Sequence, residues 1–109
     1  MKKKGANMFN PNNTHQMAQS IADDLNYLGF IVVDWENHYK QNGKWNEWSH
    51  FVVGNQSIEF CKVIVTERGV SLRTRQKTYA PIKYKGSLEQ LSKDVCSKVV
   101  KVALAAKKG

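Results

Sequence analysis

Residues 30–53, FIVVDWENHYKQNGKWNEWSHFVV, decide the fold, because an Asn-Gly dipeptide lies midway between two apolar runs. Asn42-Gly43 is the dipeptide that most strongly indicates a two-residue hairpin turn, since both central positions of a type I′ turn need a positive φ. The stretch therefore predicts a β-hairpin. The predicted cross-strand pairs are Val33 with Val52 and Trp35 with His50.

Two further turns extend this hairpin into a meander of four antiparallel strands. Gly54-Asn55 predicts a second turn and Arg68-Gly69 a third. Residues 79–86, YAPIKYKG, are predicted to form an edge strand or an extended connection, because a proline at position 81 cannot donate to a central ladder. The predicted pairs are Val52 with Ser57, His50 with Glu59, Val65 with Leu72, and Lys62 with Arg75.

Amphipathic helices flank the meander. The first begins near Asn13 or Thr14 and ends before Gly29, since glycine suits the positive φ that follows a helix. The second begins after Ser87, an N-cap residue with Gln90 three positions later. Apolar residues repeat at helical spacing in both. They are Met17, Ile21, Leu25 and Leu28 in the first helix, and Leu88, Leu91, Val95, Val99, Val102 and Ala106 in the second.

The predicted architecture is an α+β domain with the order α-β-β-β-β-α, in which both helices pack on one face of a four-stranded antiparallel meander sheet. This domain spans residues 13–106, after a flexible basic arm at 1–12 and before a basic tail at 107–109.

Alternation of side chains along the strands assigns residues to two faces of the sheet, although a register error of one residue would exchange them. The first face is apolar and is predicted to receive the helices; it holds Ile31, Val33, Trp35, Trp48, Val52, Cys61, Val63, Val65, Val70 and Leu72. The second face mixes apolar and charged side chains; it holds Asp34, Glu36, His38, Lys40, Trp45, Phe51, Ile58, Phe60, Lys62, Ile64, Arg73, Arg75 and Lys77.

Composition excludes several classes of protein. With 109 residues and 41% apolar content, the chain fits a single globular domain and is not a disordered polycation. Its apolar runs are too short to span a bilayer. Cys61 and Cys96 fit a reducing cytoplasm, where we expect them as packed thiols.

Charge points to an anionic partner. The net charge is +8, and residues 62–85 carry seven cations against Glu67 alone. Cations alternating with aromatic side chains on a sheet are typical of nucleic-acid binding, with single strands favoured and low sequence specificity expected. The sequence is compatible with either DNA or RNA as the ligand. The predicted binding residues are Lys40, Lys44, Trp45, Phe60, Lys62, Arg73, Arg75 and Lys77.

The same second face equally suits a protein interface. Exposed Phe51, Ile58, Phe60 and Ile64 would form an apolar patch that a homodimer, or docking of this chain as an inhibitor or adaptor on a larger protein, would cover. Small size and the lack of enzymatic motifs are typical of an accessory protein encoded by a phage or plasmid.

One stretch resembles the PD-(D/E)xK nuclease core. A helix, the apolar strand 30–33 and then acidic residues lead to Glu59-Phe60-Cys61-Lys62. The resemblance implies a Mg²⁺-dependent nuclease in which Asp34 or Glu47 joins Glu59 at the metal. The spacing here is Glu-x-x-Lys, so without a bulge Glu59 and Lys62 lie on opposite faces of a strand.

No other catalytic or metal motif is visible, and we expect no enzymatic activity and no cofactor. His15, His38 and His50 show no metal-ligand spacing, and the two cysteines lie far apart in the chain. His50 opposite Glu59 is predicted to be a structural cross-strand pair.

Overall fold

Five antiparallel strands and two helices make up the part of the chain that the structure, a computed structural model, describes: residues 14–38, 48–66 and 68–108. The elements are α1 (Thr14–Tyr27), β1 (Ile31–His38), β2 (Trp48–Gly54), β3 (Glu59–Thr66), β4 (Gly69–Arg73), β5 (Ile82–Lys83) and α2 (Leu88–Lys108). The sheet order is β1-β2-β3-β4-β5, so each strand pairs with its neighbour in sequence. The α+β class is confirmed, with five strands where the sequence predicts four.

The end of α1 and the start of α2 lie where the sequence predicts them, whereas α2 continues to Lys108, into the predicted basic tail. After α1 the amide of Phe30 donates to the Leu25 carbonyl at 3.0 Å, and Gly29 between them has φ +98°. This is a Schellman motif, which satisfies carbonyls at the end of a helix. At the start of α2 the Ser87 hydroxyl accepts a hydrogen bond from the Gln90 amide at 3.1 Å. The predicted Asn13 cap lies outside the described residues.

The two helices pack side by side on one face of the sheet, the inner face. Apolar residues of both helices meet the inner strand residues in a single core, and full burial of each large side chain stabilises the fold by about 1.5–3 kcal/mol. Leu28, predicted to belong to the stripe of the first helix, lies beyond the end of α1 and is 53% exposed. The strand residues in this core are Phe51, Val53, Cys61, Val63, Val65, Val70 and Leu72. Of the described helices, none is long and apolar enough to cross a membrane.

The faces of β4, and of β3 from Cys61 onward, agree with the sequence prediction, and so do those of Trp35, Glu36 and His38 in β1. The faces of β2, and of the start of β1, are inverted. Val33 pairs with Val52 as predicted, but this pair lies on the face opposite the helices, and Val33 is 42% exposed. Phe51, predicted to lie on the second face, is fully buried. Apolar residues occupy both alternating sets in these strands, so alternation alone does not determine which set is buried. Ile31, Val33, Trp48 and Val52 are therefore corrected to the open face.

The turn after β2 is longer than predicted. The Asn55 amide donates to the Ile58 carbonyl at 2.9 Å, and the Asn55 side-chain oxygen accepts from the backbone of Ser57 at 2.7 Å. An Asx turn of this kind competes with the two-residue turn that Gly54-Asn55 predicts. The predicted pairs Val52–Ser57 and His50–Glu59 are wrong. The observed pairs are Val52 with Lys62 and His50 with Ile64.

The connection between β3 and β4 lies where Arg68-Gly69 predicts it, but the register differs by two residues. Val65 pairs with Val70 and Lys62 with Arg73, so the predicted pairs Val65–Leu72 and Lys62–Arg75 are wrong. A shift of two keeps every side chain on its predicted face. The extended connection at 79–86 contains β5, which pairs with β4 at the edge of the sheet as expected. The predicted turn at Asn42-Gly43 lies outside the described residues.

Candidate functional site

The helices leave one face of the sheet open, and we call it the outer face. Its positions follow from the cross-strand pairs, because paired residues lie on the same side of a sheet. Its members are Ile31, Val33, Glu36 and His38 from β1, Trp48, His50, Val52 and Gly54 from β2, Glu59, Lys62, Ile64 and Thr66 from β3, Gly69, Ser71 and Arg73 from β4, and Lys83 from β5. These side chains are the candidates for a binding surface.

Two cations lie next to each other on the outer face. Lys62 and Arg73 are direct cross-strand partners on β3 and β4. Within the described residues the ion pairs all involve Glu36 and histidines, so neither cation is neutralised by a carboxylate. Two adjacent cations without acidic partners attract phosphate groups.

The predicted row Arg73, Arg75, Lys77 is broken after its first member. β4 ends at Arg73, and the chain turns back because the Thr74 hydroxyl accepts a hydrogen bond from the Lys77 amide at 3.1 Å. Arg75 lies exposed in this turn. The Lys77 ammonium lies 4.7 Å from the centre of the Tyr79 ring, which packs against the core and also contacts Lys98 of α2. Lys77 therefore lies on the side of the helices.

Phe60, predicted to stack on a ligand, is only 5% exposed. The pairing of β2 with β3 steps from Val53–Cys61 to Gly54–Glu59, so Phe60 is the extra residue of a bulge. Its ring packs against Phe30 with the centroids 6.0 Å apart in an edge-to-face arrangement. The expectation of an exposed Phe60 is wrong because the bulge places two successive residues of β3 in buried positions. Lys40, Lys44 and Trp45 lie outside the described residues.

The same bulge bears on the predicted nuclease residues. One extra residue between Glu59 and Lys62 returns both to the same face of β3, which a regular strand would not do. A nuclease centre also needs further metal ligands. The described residues contain one group of three side chains able to bind a metal, and neither Asp34 nor Glu59 belongs to it. Glu47 lies outside the described residues.

A second irregularity changes the direction of β1. Its pairing with β2 shifts between Val33–Val52 and Glu36–His50, and Asp34 within the shift has φ +55°. Aspartate tolerates this left-handed conformation better than most residues. Trp35 consequently points to the inner face, where its ring centroid lies 5.2 Å from that of Phe51. The predicted pairing of Trp35 with His50 is wrong for this reason.

Beyond this bulge, three rings lie together at one end of the outer face. The rings of His38 and Trp48 are stacked with centroids 3.9 Å apart and an interplanar angle of 9°. The ring centroids of His50 and Trp48 are 5.0 Å apart. Such stacking restricts the orientation of both imidazoles, since each ring is in contact with a large planar neighbour.

The two imidazoles and a carboxylate converge on one point. His50 Nε2 lies 3.1 Å from Glu36 Oε1 and 3.1 Å from His38 Nε2, and the remaining separation, His38 Nε2 to Glu36 Oε1, is 3.6 Å. We call Glu36, His38 and His50 the His-Glu cluster. It replaces the predicted His50–Glu59 pair, since the pairing partner of His50 on β3 is Ile64.

Sequence reasoning missed this cluster because the predicted register pairs His50 with Trp35, on the face opposite Glu36 and His38. A Glu-x-His pattern at 36–38 places two ligand types on one face of a strand. His50 joins them only in the observed register, in which it pairs with Glu36 instead of Trp35. The sequence feature that indicates this cluster is a Glu-x-His pattern on one strand of a predicted hairpin, with a further histidine twelve residues later on the partner strand.

The cysteines form no part of any surface site. Both are free and lie in the core, as predicted, with Cys61 4% and Cys96 7% exposed. Burial raises the pKa of Cys61 to about 11. Burial, and then the negative charge of Asp24, raise the pKa of Cys96, against a lowering by its hydrogen bond with Ser92. Both thiols are therefore protonated near neutral pH and unreactive.

Comparison with known proteins gives no family for this chain: no protein-family model matches it, nor does any curated protein or solved structure.

Proposed function

We propose that the outer face binds single-stranded nucleic acid with low sequence specificity. The observation that carries the proposal is the cross-strand pair Lys62–Arg73, which has no acidic partner within the described residues, on a sheet face that also presents Trp48. Cations bind phosphates and flat apolar side chains support bases, a combination that other sheet proteins use for single strands. Binding would depend mainly on charge.

The arrangement of the face favours a single strand over a duplex. Ile64 lies between Lys62 and the rings stacked on Trp48, so an apolar side chain lies next to the cations. Four strands of this sheet span about 14 Å at their usual spacing, and sheets of this width accommodate two or three stacked bases. Bases paired in a duplex cannot lie flat on such a surface, whereas unpaired bases can.

The test is the affinity of the full chain for fluorescently labelled single-stranded DNA and RNA and for a duplex, measured by anisotropy at several salt concentrations. We expect K62A/R73A to weaken single-strand binding at least about tenfold and to reduce the salt slope by about 1.4, since each of the two phosphate contacts contributes about 0.7. The matched control is K93A/K101A, which removes the same charge from exposed positions on α2.

If both double variants lose the same affinity for single strands, the binding depends on overall charge and the outer face is not the binding surface. Absence of binding by the unaltered chain at low salt would reject nucleic acid as the ligand altogether.

A homodimer through the β1 edge is the second candidate, because apolar side chains are exposed there. β1 is an edge strand of the described sheet, and Ile31 is 38% and Val33 42% exposed. Exposed apolar edge strands pair readily with one another. Sedimentation velocity distinguishes this candidate: it requires a dimer that V33E dissociates, whereas a monomer at all concentrations rejects it.

A further inference from the structure

We propose that the His-Glu cluster binds one divalent transition-metal ion of the Zn²⁺ type, with Glu36, His38 and His50 as ligands. This inference is independent of the proposed nucleic-acid binding, because it rests on side chains that the cationic pair does not include. Two imidazole nitrogens and one carboxylate oxygen form a ligand set that Zn²⁺ uses when one coordination position stays open.

The spacing of the three donor atoms fits such an ion. They form a triangle with sides of 3.1, 3.1 and 3.6 Å. A tetrahedral ion with bonds of about 2.0–2.1 Å holds its donor atoms about 3.3–3.4 Å apart. The observed triangle therefore brackets the spacing that a bound ion requires, and its donor atoms need only small movements to bind one.

The backbone holds the ligands in place before any ion arrives. Glu36 and His38 lie on the same side of β1, because they are two residues apart in a strand, and His50 is the direct cross-strand partner of Glu36. The first turn of α1 fixes the end of β1, since His15 Nε2 lies 3.1 Å from the His38 carbonyl oxygen. Stacking on Trp48 restricts the His38 ring further. Ligands held on strands lose little entropy on binding an ion.

Burial leaves one side of the cluster open. The side chain of His50 is 12% exposed, that of His38 37% and that of Glu36 65%. Nδ1 of His50 is buried without a hydrogen-bond partner among the described residues, so Nε2 is the atom through which this ring interacts. An ion held here would be reached by water or a small anion from the Glu36 side, which supplies the fourth position.

The ligand chemistry selects the class of ion. Imidazole suits Zn²⁺, Co²⁺, Ni²⁺ and Cu²⁺, whereas Mg²⁺ and Ca²⁺ prefer sets made only of oxygen. The cluster offers two nitrogens and one oxygen, so it is not an oxygen-only set.

The experiment is calorimetric titration of the chelator-treated full chain with Zn²⁺ alone. We expect one ion per chain, and E36Q, H38Q and H50Q should each weaken binding at least about tenfold, since even indirect partners of a metal contribute that much. The control variants are E59Q and E89Q, which replace exposed glutamates outside the cluster and should change the affinity less than about threefold.

Co²⁺ provides a second signal that folding alone does not produce. A tetrahedral site made of these ligands gives intense visible ligand-field bands, which should appear at one equivalent and disappear in E36Q. Glu36 is the most exposed ligand, so E36Q should keep the circular dichroism spectrum of the unaltered chain. Absence of saturable Zn²⁺ uptake, or equal binding by E36Q and E59Q, would overturn the proposal. Neither result depends on nucleic acid.

Discussion

At the scale of single residues, burial controls the chemistry of Cys61. Its thiol lies in the core beneath β3 and is 4% exposed, and burial raises its pKa from an ordinary value of about 9 to about 11. The folded chain therefore keeps a proton on this thiol that the unfolded chain loses. The stabilisation from the neutral thiol is complete below pH 9, where both states are protonated, and is lost as the pH rises towards 11.

This difference predicts alkaline destabilisation that depends on Cys61. Between pH 9 and 11 the free energy of unfolding should fall by about 2–3 kcal/mol through this one group, at 1.36 kcal/mol per pKa unit. Urea unfolding of the unaltered chain and of C61A at several pH values measures it. The difference in stability between the two should shrink over this range, because C61A lacks the titrating group. Parallel curves would contradict the prediction.

At the scale of elements, the bulge in β1 determines which side chains reach the outer face. Asp34 has φ +55°, which β-branched residues adopt only with strain. We expect D34V to lower the free energy of unfolding by about 1–2 kcal/mol, and D34G and D34N to leave it within about 0.5 kcal/mol. Urea unfolding at pH 7 compares the three variants. Equal stability of D34V and D34N would show that β1 is a regular strand, with Glu36 and His38 facing elsewhere.

The sequence predicts the helices of this fold better than the registers of its strands. Helix α1 has a continuous apolar stripe and a glycine at its end, and both signals act locally. The strands β1 and β2 carry apolar residues on both sides, as in the run Ile31-Val32-Val33, so alternation does not select the buried set. The bulges at Asp34 and Phe60 depend on packing across strands, which a local pattern does not record.

At the scale of the whole molecule, the two faces of the sheet differ in what covers them. The helices bury the inner face, and the outer face carries the cationic pair Lys62 and Arg73 and, at one end, the His-Glu cluster. Charge composition predicts that cations gather on one side of the chain, but of the seven between residues 62 and 85 the strand pairing places three on the outer face: Lys62, Arg73 and Lys83. Charge composition does not predict the position of Lys77, because the turn after β4 places that side chain on the side of the helices.

Amide NMR shifts during titration with a short single-stranded oligonucleotide show whether the outer face is the binding surface. We expect the shifts to concentrate on β2, β3 and β4, including Lys62 and Arg73, while the exposed side of α2 around Lys101 stays unchanged. Shifts centred on α1 or α2, or none at low salt, would contradict it.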